Sequence, residues 1–522
     1  MASGKQVLKD LEQHSGEMLH DLSGWLGGGL SDAISPRLKV NEEWLKANYL
    51  DTFPAVSRKL TLAGHAATIV YYGGAVDREE VERELVQAVQ AASADELTDL
   101  KELARAVLPG LVYKHVTTWT ALTQEFVAGH VLLFIDGAPG SLSFDLKKIP
   151  ERSLGAPKVE QSVMGPQVGF IEDIKSNLAL IRDRIRSPKL KVWHREMGSE
   201  TKTQVAVLHL EGVTDPKLVT SVQDTIAEAQ PKDVQVISMV TGLLEQRPYS
   251  LFPQLRMTQR VDEATRAALA GRMLIILHGD PTVAIYPSTL GDFYRTMQDY
   301  MMTFWEASYI RVLRFLATLT ALYLPAFYVA ATTVDPDLMP TRLAIVVAGS
   351  REGVPFSPIV EVVIMFVIVE FLREAALRMP SQMNATLGTV GAIVVGTALV
   401  KAGLISDLMI VIATIAAVAD FTAPSFEITS VWRILLWPMA FAAALWGMLG
   451  IIALSFAVVA SLASLEVAGR PYLAPLVPSP AAELEDSFVR LPDRTLGPMR
   501  KQDRGSVFDA LGLHWLSRAL GR

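Results

Sequence analysis

Ionisable side chains set inside an apolar run are the most chemically suggestive feature of the sequence. From Pro358 to Met379 the chain reads PIVEVVIMFVIVEFLREAALRM, with Glu361, Glu370, Arg373 and Glu374 interrupting a stretch otherwise suited to lipid. A charge at membrane depth costs about 2.5 to 3.5 kcal/mol even on the mildest insertion scale, so such groups face protein, water or a counter-ion. At ~100° per residue, Glu361 and Glu370 fall roughly half a turn apart, and a straight helix would carry carboxylates on opposite faces. Arg373 is placed to pair with Glu370, and Glu374 follows one turn later. Two readings stay open. Either Glu361 marks a helix start favoured by the helix dipole while Glu370 to Arg378 lies in the interface, or the helix turns a face to water or to another subunit.

Other chemistry is missing. No GxxxxGK[ST] loop, GxSxG elbow or HExxH helix occurs, although each would be visible at its required spacing. Acid pairs such as Glu42-Glu43 and Glu79-Glu80 are adjacent in sequence and diverge in azimuth on a helix. His209 and His278 sit on predicted strands without a ligand quartet, so no metal is expected. The chain has no cysteine, which excludes disulfides and thiolate chemistry. A net charge of −7 and the lack of a basic stripe argue against nucleic acid as a partner. Neither an enzyme nor a cofactor is expected.

The elements that would hold the acidic helix form an α-helical transmembrane domain over 296–468. A first span over 312–332, preceded by Arg311 and Arg314, contains Pro325, which should kink it. Residues 387–405 read as a further span with Gly388, Ala392 and Gly396 at four-residue spacing, a stripe for close helix packing. Residues 407–422 close a hairpin with it and carry Asp420 near their far end. The last apolar stretch, 432–465, exceeds the ~20 residues of one crossing yet is short for two and a turn. One long tilted helix, bent at Pro438, is expected. Cations before the first span and after the last (Arg470, Arg490, Arg494, Arg500, Lys501, Arg504) place both termini in the cytoplasm. Crossings must then be even in number, and the acidic helix is the one expected not to cross.

Ahead of the membrane domain the pattern is α/β. Residues 1–40 read as an amphipathic, Gly-rich head without a secretory signal. A first subdomain, 41–155, has a strand over 60–72, a helix over 77–92 and a strand over 131–136. A second, 156–295, has a helix over 169–186, strands at 204–210, 234–240, 273–278 and 282–286, and a helix over 216–229. Charges on the 169–186 helix (Lys175, Arg182, Asp183, Arg184, Arg186) read as a solvated, salt-bridged face. Residues 469–522 form a cytoplasmic tail.

Ordered blocks then carry a resemblance. Gly165-Pro166 through Gly169-Phe170, Asn177-Leu178-Ala179-Leu180-Ile181-Arg182 to Arg186-Ser187-Pro188, Phe252-Pro253-Gln254 with Arg260 and Asp262, Leu324-Pro325-Ala326-Phe327-Tyr328-Val329-Ala330, Glu370-Phe371-Leu372-Arg373-Glu374-Ala375 and Gly469-Arg470-Pro471-Tyr472-Leu473-Ala474-Pro475 resemble the GerA family of spore germination proteins. Gln167-Val168 and Val261 depart from the usual residues of their blocks. The resemblance implies a multi-pass subunit of the spore inner membrane, either a germinant receptor A subunit or a protein like stage V sporulation protein AF. It implies a homo-oligomeric, pentameric channel for monovalent cations such as potassium, with receptor B and C subunits as partners. In such a ring Glu361, Glu370 and Glu374 would line the ion path, with Arg373 as structural counter-charge. A non-conducting scaffold is the alternative, and a secondary transporter a weaker one, since no repeat of the membrane pattern is visible.

Overall fold

The computed structural model describes residues 32–50, 55–62, 65–73, 78–87, 112–146, 165–378 and 396–474, together with positions 76 and 160. Two compact units result, the first built from Gln167–Leu244, Met257–Ile285 and the described residues before Gln161, the second from Glu245–Arg256 and the described residues from Tyr286 onward, with 165–166. The amphipathic pattern of the head, Gly388 and Ala392, and the tail beyond 474 lie outside the described residues.

The first unit holds helix α1 (Leu38–Leu45) and two five-stranded sheets. In the first sheet, β1 (Ala55–Leu62), β2 (His65–Tyr72), β3 (Tyr113–Val116), β4 (Val131–Ile135) and β5 (Ser141–Phe144) run in the order β1-β2-β4-β5-β3. The run expected as one strand over 60–72 is a hairpin in which Leu62 pairs with His65. Its first arm exposes polar residues at an edge and its second is buried, as a covered inner strand requires. Helix α2 (Trp119–Val127) starts where Thr118 accepts a hydrogen bond from Ala121 N.

The second sheet runs β6-β7-β9-β10-β8, with β6 (Leu190–Met197), β7 (Thr203–Leu210), β8 (Arg256–Thr258), β9 (Met273–Leu277) and β10 (Val283–Tyr286). Helices α3 (Ile174–Arg184), α4 (Pro216–Glu228), α5 (Ile237–Leu244) and α6 (Val261–Leu269) accompany it. Residues 234–240 do not form the expected strand. Ile237, Val240, Thr241 and Leu244 are buried at helical spacing, and the Asp280 carboxylate accepts from Ile237 N at 2.8 Å, favouring the helix start. One hydrophobic cluster runs from Ile34 to Ile285 through both sheets. Arg182 does not lie on a solvated face: it is buried and donates to Tyr72 Oη at 2.9 Å. Arg186 and Asp183 do form the expected surface pair, at 3.0 Å.

The second unit contains α7 (Phe304–Thr333), α8 (Thr341–Ser350), α9 (Pro358–Arg378), α10 (Gly396–Lys401), α11 (Asp407–Asp420) and α12 (Phe426–Ser464). Among the described residues, α7 and α12 are the helices long and apolar enough to cross a membrane. Helix α7 begins at a Thr303 cap, earlier than expected, and continues through the buried Pro325. Gly396 is the first residue of α10.

The last apolar stretch is not one tilted helix. Gly447 leaves helical geometry at φ 57°, ψ −136°, and a side chain built on Gly450 would lie 2.1 Å from the carbonyl oxygen of Ala442. Eight residues of straight helix would separate that pair by about 12 Å, so α12 folds back as a hairpin with arms 426–446 and 448–464. Asp335, just past the end of α7, holds the tip by accepting from Met448 N at 2.6 Å. Tyr294, before α7, meets Trp432 in the first arm, with Trp432 Nε1 donating at 2.8 Å. The second arm returns to the same end, where Arg247 donates to Ser464 Oγ and Leu290 N donates to the Tyr472 carbonyl. The 432–465 stretch therefore supplies two antiparallel arms where one helix was expected.

Candidate functional site

Helix α9 runs antiparallel to α7. Its first turn lies near Tyr328, toward the end of α7, and its last turns lie near the start of α12. Pro358, Glu361, Val362 and Phe366 form its buried face. Glu361 is fully buried. Ser406, capping α11, donates to it from Oγ at 2.7 Å and from N at 3.0 Å, and Arg351 Nε donates at 3.2 Å. Tyr328 Oη lies 3.3 Å from the same serine hydroxyl, and Arg351 also donates to the Phe356 carbonyl. Three donors on one carboxylate compensate its removal from water.

A second group forms at the other end of α9. Arg373 donates to Glu370 at 2.8 Å and to Asp420, at the end of α11, at 2.7 Å. Its guanidinium lies 5.5 Å from the Phe421 ring centroid. Arg433 of the first α12 arm reaches Glu370 at 3.5 Å and stacks 5.7 Å from Phe426. Glu374 pairs with Arg378 on the surface. The side chains of Glu370 and Glu374 are 40% and 57% exposed, against 0% for Glu361.

The start of α7 carries a third group. Asp299 is fully buried, completes a capping box with Thr296, and accepts from Arg311 Nε at 3.1 Å and Arg314 Nη1 at 2.8 Å. The two arginines read from sequence as headgroup cations thus clamp a buried acid inside the unit. No cluster of His, Cys, Asp or Glu suited to a metal occurs among the described residues.

Arg351, Ser406, Asp420 and Arg433 are the partners that sequence reasoning did not assign. One signal was available: Arg433 is the sole ionisable residue in the 432–465 stretch, while the acids of the neighbouring helices outnumber Arg373. Nothing in local pattern marks Ser406, which is brought to Glu361 by chain packing.

The chain thus has an α/β unit and a unit of apolar helices that carry buried and part-exposed acids. The family model described as Bacillus/Clostridium GerA spore germination protein matches residues 43–501. The chain belongs to the GerA family. Among relatives from Bacillus subtilis (strain 168), it is 32% identical to spore germination protein B1 over 82% of this chain and 88% of that one. It is 33% identical to the uncharacterized membrane protein YfkQ over 88% of this chain and 90% of the relative. It is 29% identical to stage V sporulation protein AF over 86% and 92%.

Several blocks that carry the GerA resemblance make fold-holding contacts. Arg260 and Asp262 are a buried bidentate pair at 3.0 and 2.7 Å at the start of α6. Tyr472 is fully buried, its ring 6.2 Å from that of Phe252. Pro325, Ala326 and Tyr328 lie in the buried face of α7. The Glu370–Glu374 block is different, because it couples such a contact, Arg373 with Asp420, to part-exposed carboxylates.

Proposed function

We propose that this GerA-family membrane protein is a subunit of a spore germination complex that assembles with copies of itself, as a pentamer, and conducts monovalent cations such as potassium. The division of labour along α9 carries the reading: Glu361 is consumed inside the unit, whereas Glu370 and Glu374 keep exposed oxygen. In a ring, exposed carboxylates at this depth would concentrate cations. Arg373 keeps its role as counter-charge, and the stripe of Gly388, Ala392 and Gly396 and the Pro325 bend would serve packing. The return of α12 to the end where α7 begins supports both flanks lying on one side, proposed as the cytoplasm of the spore inner membrane. As in a receptor A subunit, B and C subunits would be partners. As in an AF-like protein, the channel would amplify release begun elsewhere.

Purified protein in planar bilayers should pass potassium current, and Glu370→Gln should lower it severalfold at equal insertion. Unchanged current in Glu370→Gln together with Glu374→Gln sinks the ion-path assignment. A specific observation favours the alternative of a non-conducting scaffold: Glu361, Glu370, Glu374 and Asp420 each already have a cationic partner. Complex assembly without current selects that reading.

A further inference from the structure

Gln254 clasps a short loop of the second unit. Itself buried, it accepts from Gln246 N at 3.0 Å and donates to the Arg247 carbonyl at 2.9 Å. Inside the clasp Ser250 N donates to the same carbonyl at 3.0 Å, and Phe252 N donates to Ser250 Oγ at 3.2 Å. The turn is thereby fixed around a side chain that nothing covers: Tyr249, at its tip, is 100% exposed, and Leu251 is 49% exposed. Ordering a backbone costs entropy, and holding a tyrosine and a leucine out in water recovers none of it.

The loop is pinned to one end of the helices. Arg247 donates to Oγ of Ser464, the last residue of α12, at 3.3 Å, and Ala468 N donates to Gln246 Oε1 at 3.2 Å. Phe252 is buried, its ring 5.9 Å from Trp432 in the first arm and 6.2 Å from Tyr472. Three residues separate Tyr249 from Phe252, which keeps the two within about 10 Å.

That end carries the marks of a bilayer boundary. Between Phe426 and Trp446, both exposed, the first arm of α12 rises about 30 Å, the thickness of the hydrocarbon core. Along the second arm the exposed large side chains are Leu449, Ile452, Phe456 and Val459. Among the described residues the exposed tryptophans and tyrosines are Tyr249, Trp305, Tyr309 and Trp446. Trp446 stands at the hairpin tip, whereas Trp305 and Tyr309, on the first turns of α7, share the opposite end with Tyr249. Polar-tipped aromatics concentrate at the two membrane–water interfaces. Over 246–252 the chain has one cation, Arg247, and no acid, a composition that suits phospholipid headgroups.

We propose that the 246–252 loop is a membrane anchor: Tyr249 and Leu251 dip into the headgroup layer of the leaflet on the side where α7 begins, and Arg247 meets its phosphates. The partner is a phospholipid surface. Because Gln254 holds the loop rigid, the anchor fixes the end of the second α12 arm at the interface, whether or not the protein conducts.

The chain has no cysteine of its own, so Tyr249→Cys gives the full-length protein a single thiol for a polarity-sensitive dye. The labelled protein is read in liposomes of phosphatidylcholine and phosphatidylglycerol. Phe456→Cys, part-way along the second arm, marks hydrocarbon, and the dye on free cysteine marks water. At position 249 the emission should shift to the blue of the free adduct, quenching by aqueous iodide should be lost, and lipid with a headgroup nitroxide should quench. Iodide quenching as strong as that of the free adduct overturns the anchor. Protection from both quenchers puts a protein surface, such as a second copy of the chain, over the loop and equally overturns it. Water at 249 with hydrocarbon at 456 leaves the membrane placement of the helices standing, and water at both sites removes that placement as well.

Discussion

Glu361 shows how a carboxylate is tolerated inside an apolar helical unit: Arg351 supplies charge, and Ser406 supplies two further donors. Removing one member of a buried pair costs about 3 to 5 kcal/mol because the other is stranded. With Arg351 itself 20% exposed, Arg351→Ala is expected to cost about 3 kcal/mol in detergent unfolding, and adding Glu361→Gln should recover part of it. A double variant no better than the single would show that the ion pair is not what Arg351 contributes. His209, on β7, offers a pH test. Burial holds its imidazole below the ordinary histidine range, Lys191 acts the same way and Glu211 opposes them, while its Nδ1 has no partner. The unfolded chain binds a proton near pH ~6.5 that the folded chain resists. Stability from this group is complete above that value and is lost as pH falls through it. Denaturant midpoints should decline between about pH 7 and 5.5, and His209→Gln should flatten the decline; an unaltered slope would remove His209 from the account.

At the scale of elements, the α12 hairpin depends on Gly447. Its φ of 57° disfavours any side chain, and a Cβ there would lie 2.0 Å from Asp335 Oδ2. Gly447→Ala should destabilise the protein by about 2 kcal/mol or more, read as a lower melting temperature. The fold-back itself has a direct test, since the chain has no cysteine of its own. Single cysteines at Phe421 and Ser464, both exposed, should react with a membrane-impermeant thiol reagent from the same side. Labelling from opposite sides would restore a single tilted helix. Pattern could not reveal the hairpin: a tip of one glycine leaves no polar loop, and apolar periodicity runs through it.

For the whole molecule, the proposed ring predicts solubilised particles that are multiples of a 57.0 kDa chain, seen by mass photometry. A monomer in every detergent that preserves folding would leave the channel reading without its assembly. Legibility differed between the units. In the first, β4, β7, β9, β10 and α4 follow the expected segments closely: β4, β9 and β10 are short apolar runs buried at every position, and α4 buries Leu218, Val222 and Ile226 at helical spacing. The Leu60–Tyr72 run was read as one strand because side chains pointing to a core look alike on both arms of a hairpin. Residues 234–240 were misread because a short apolar run does not distinguish period 2 from 3.6 until its neighbours bury one face.

The acidic helix was visible in the sequence as a conflict between charge and lipid, and so was Arg373 as the partner of Glu370, because spacing on one helix settles which side chains can meet. Composition likewise decided that the chain is built for a membrane, and ordered blocks decided its family. Which carboxylate is spent and which is left available was decided only by tertiary structure. Ser406 and Arg351 reach Glu361 from other elements, and Asp420 and Arg433 reach Arg373 and Glu370 across 47 and 63 positions. Contacts of that separation depend on how helices pack, and no local pattern records it.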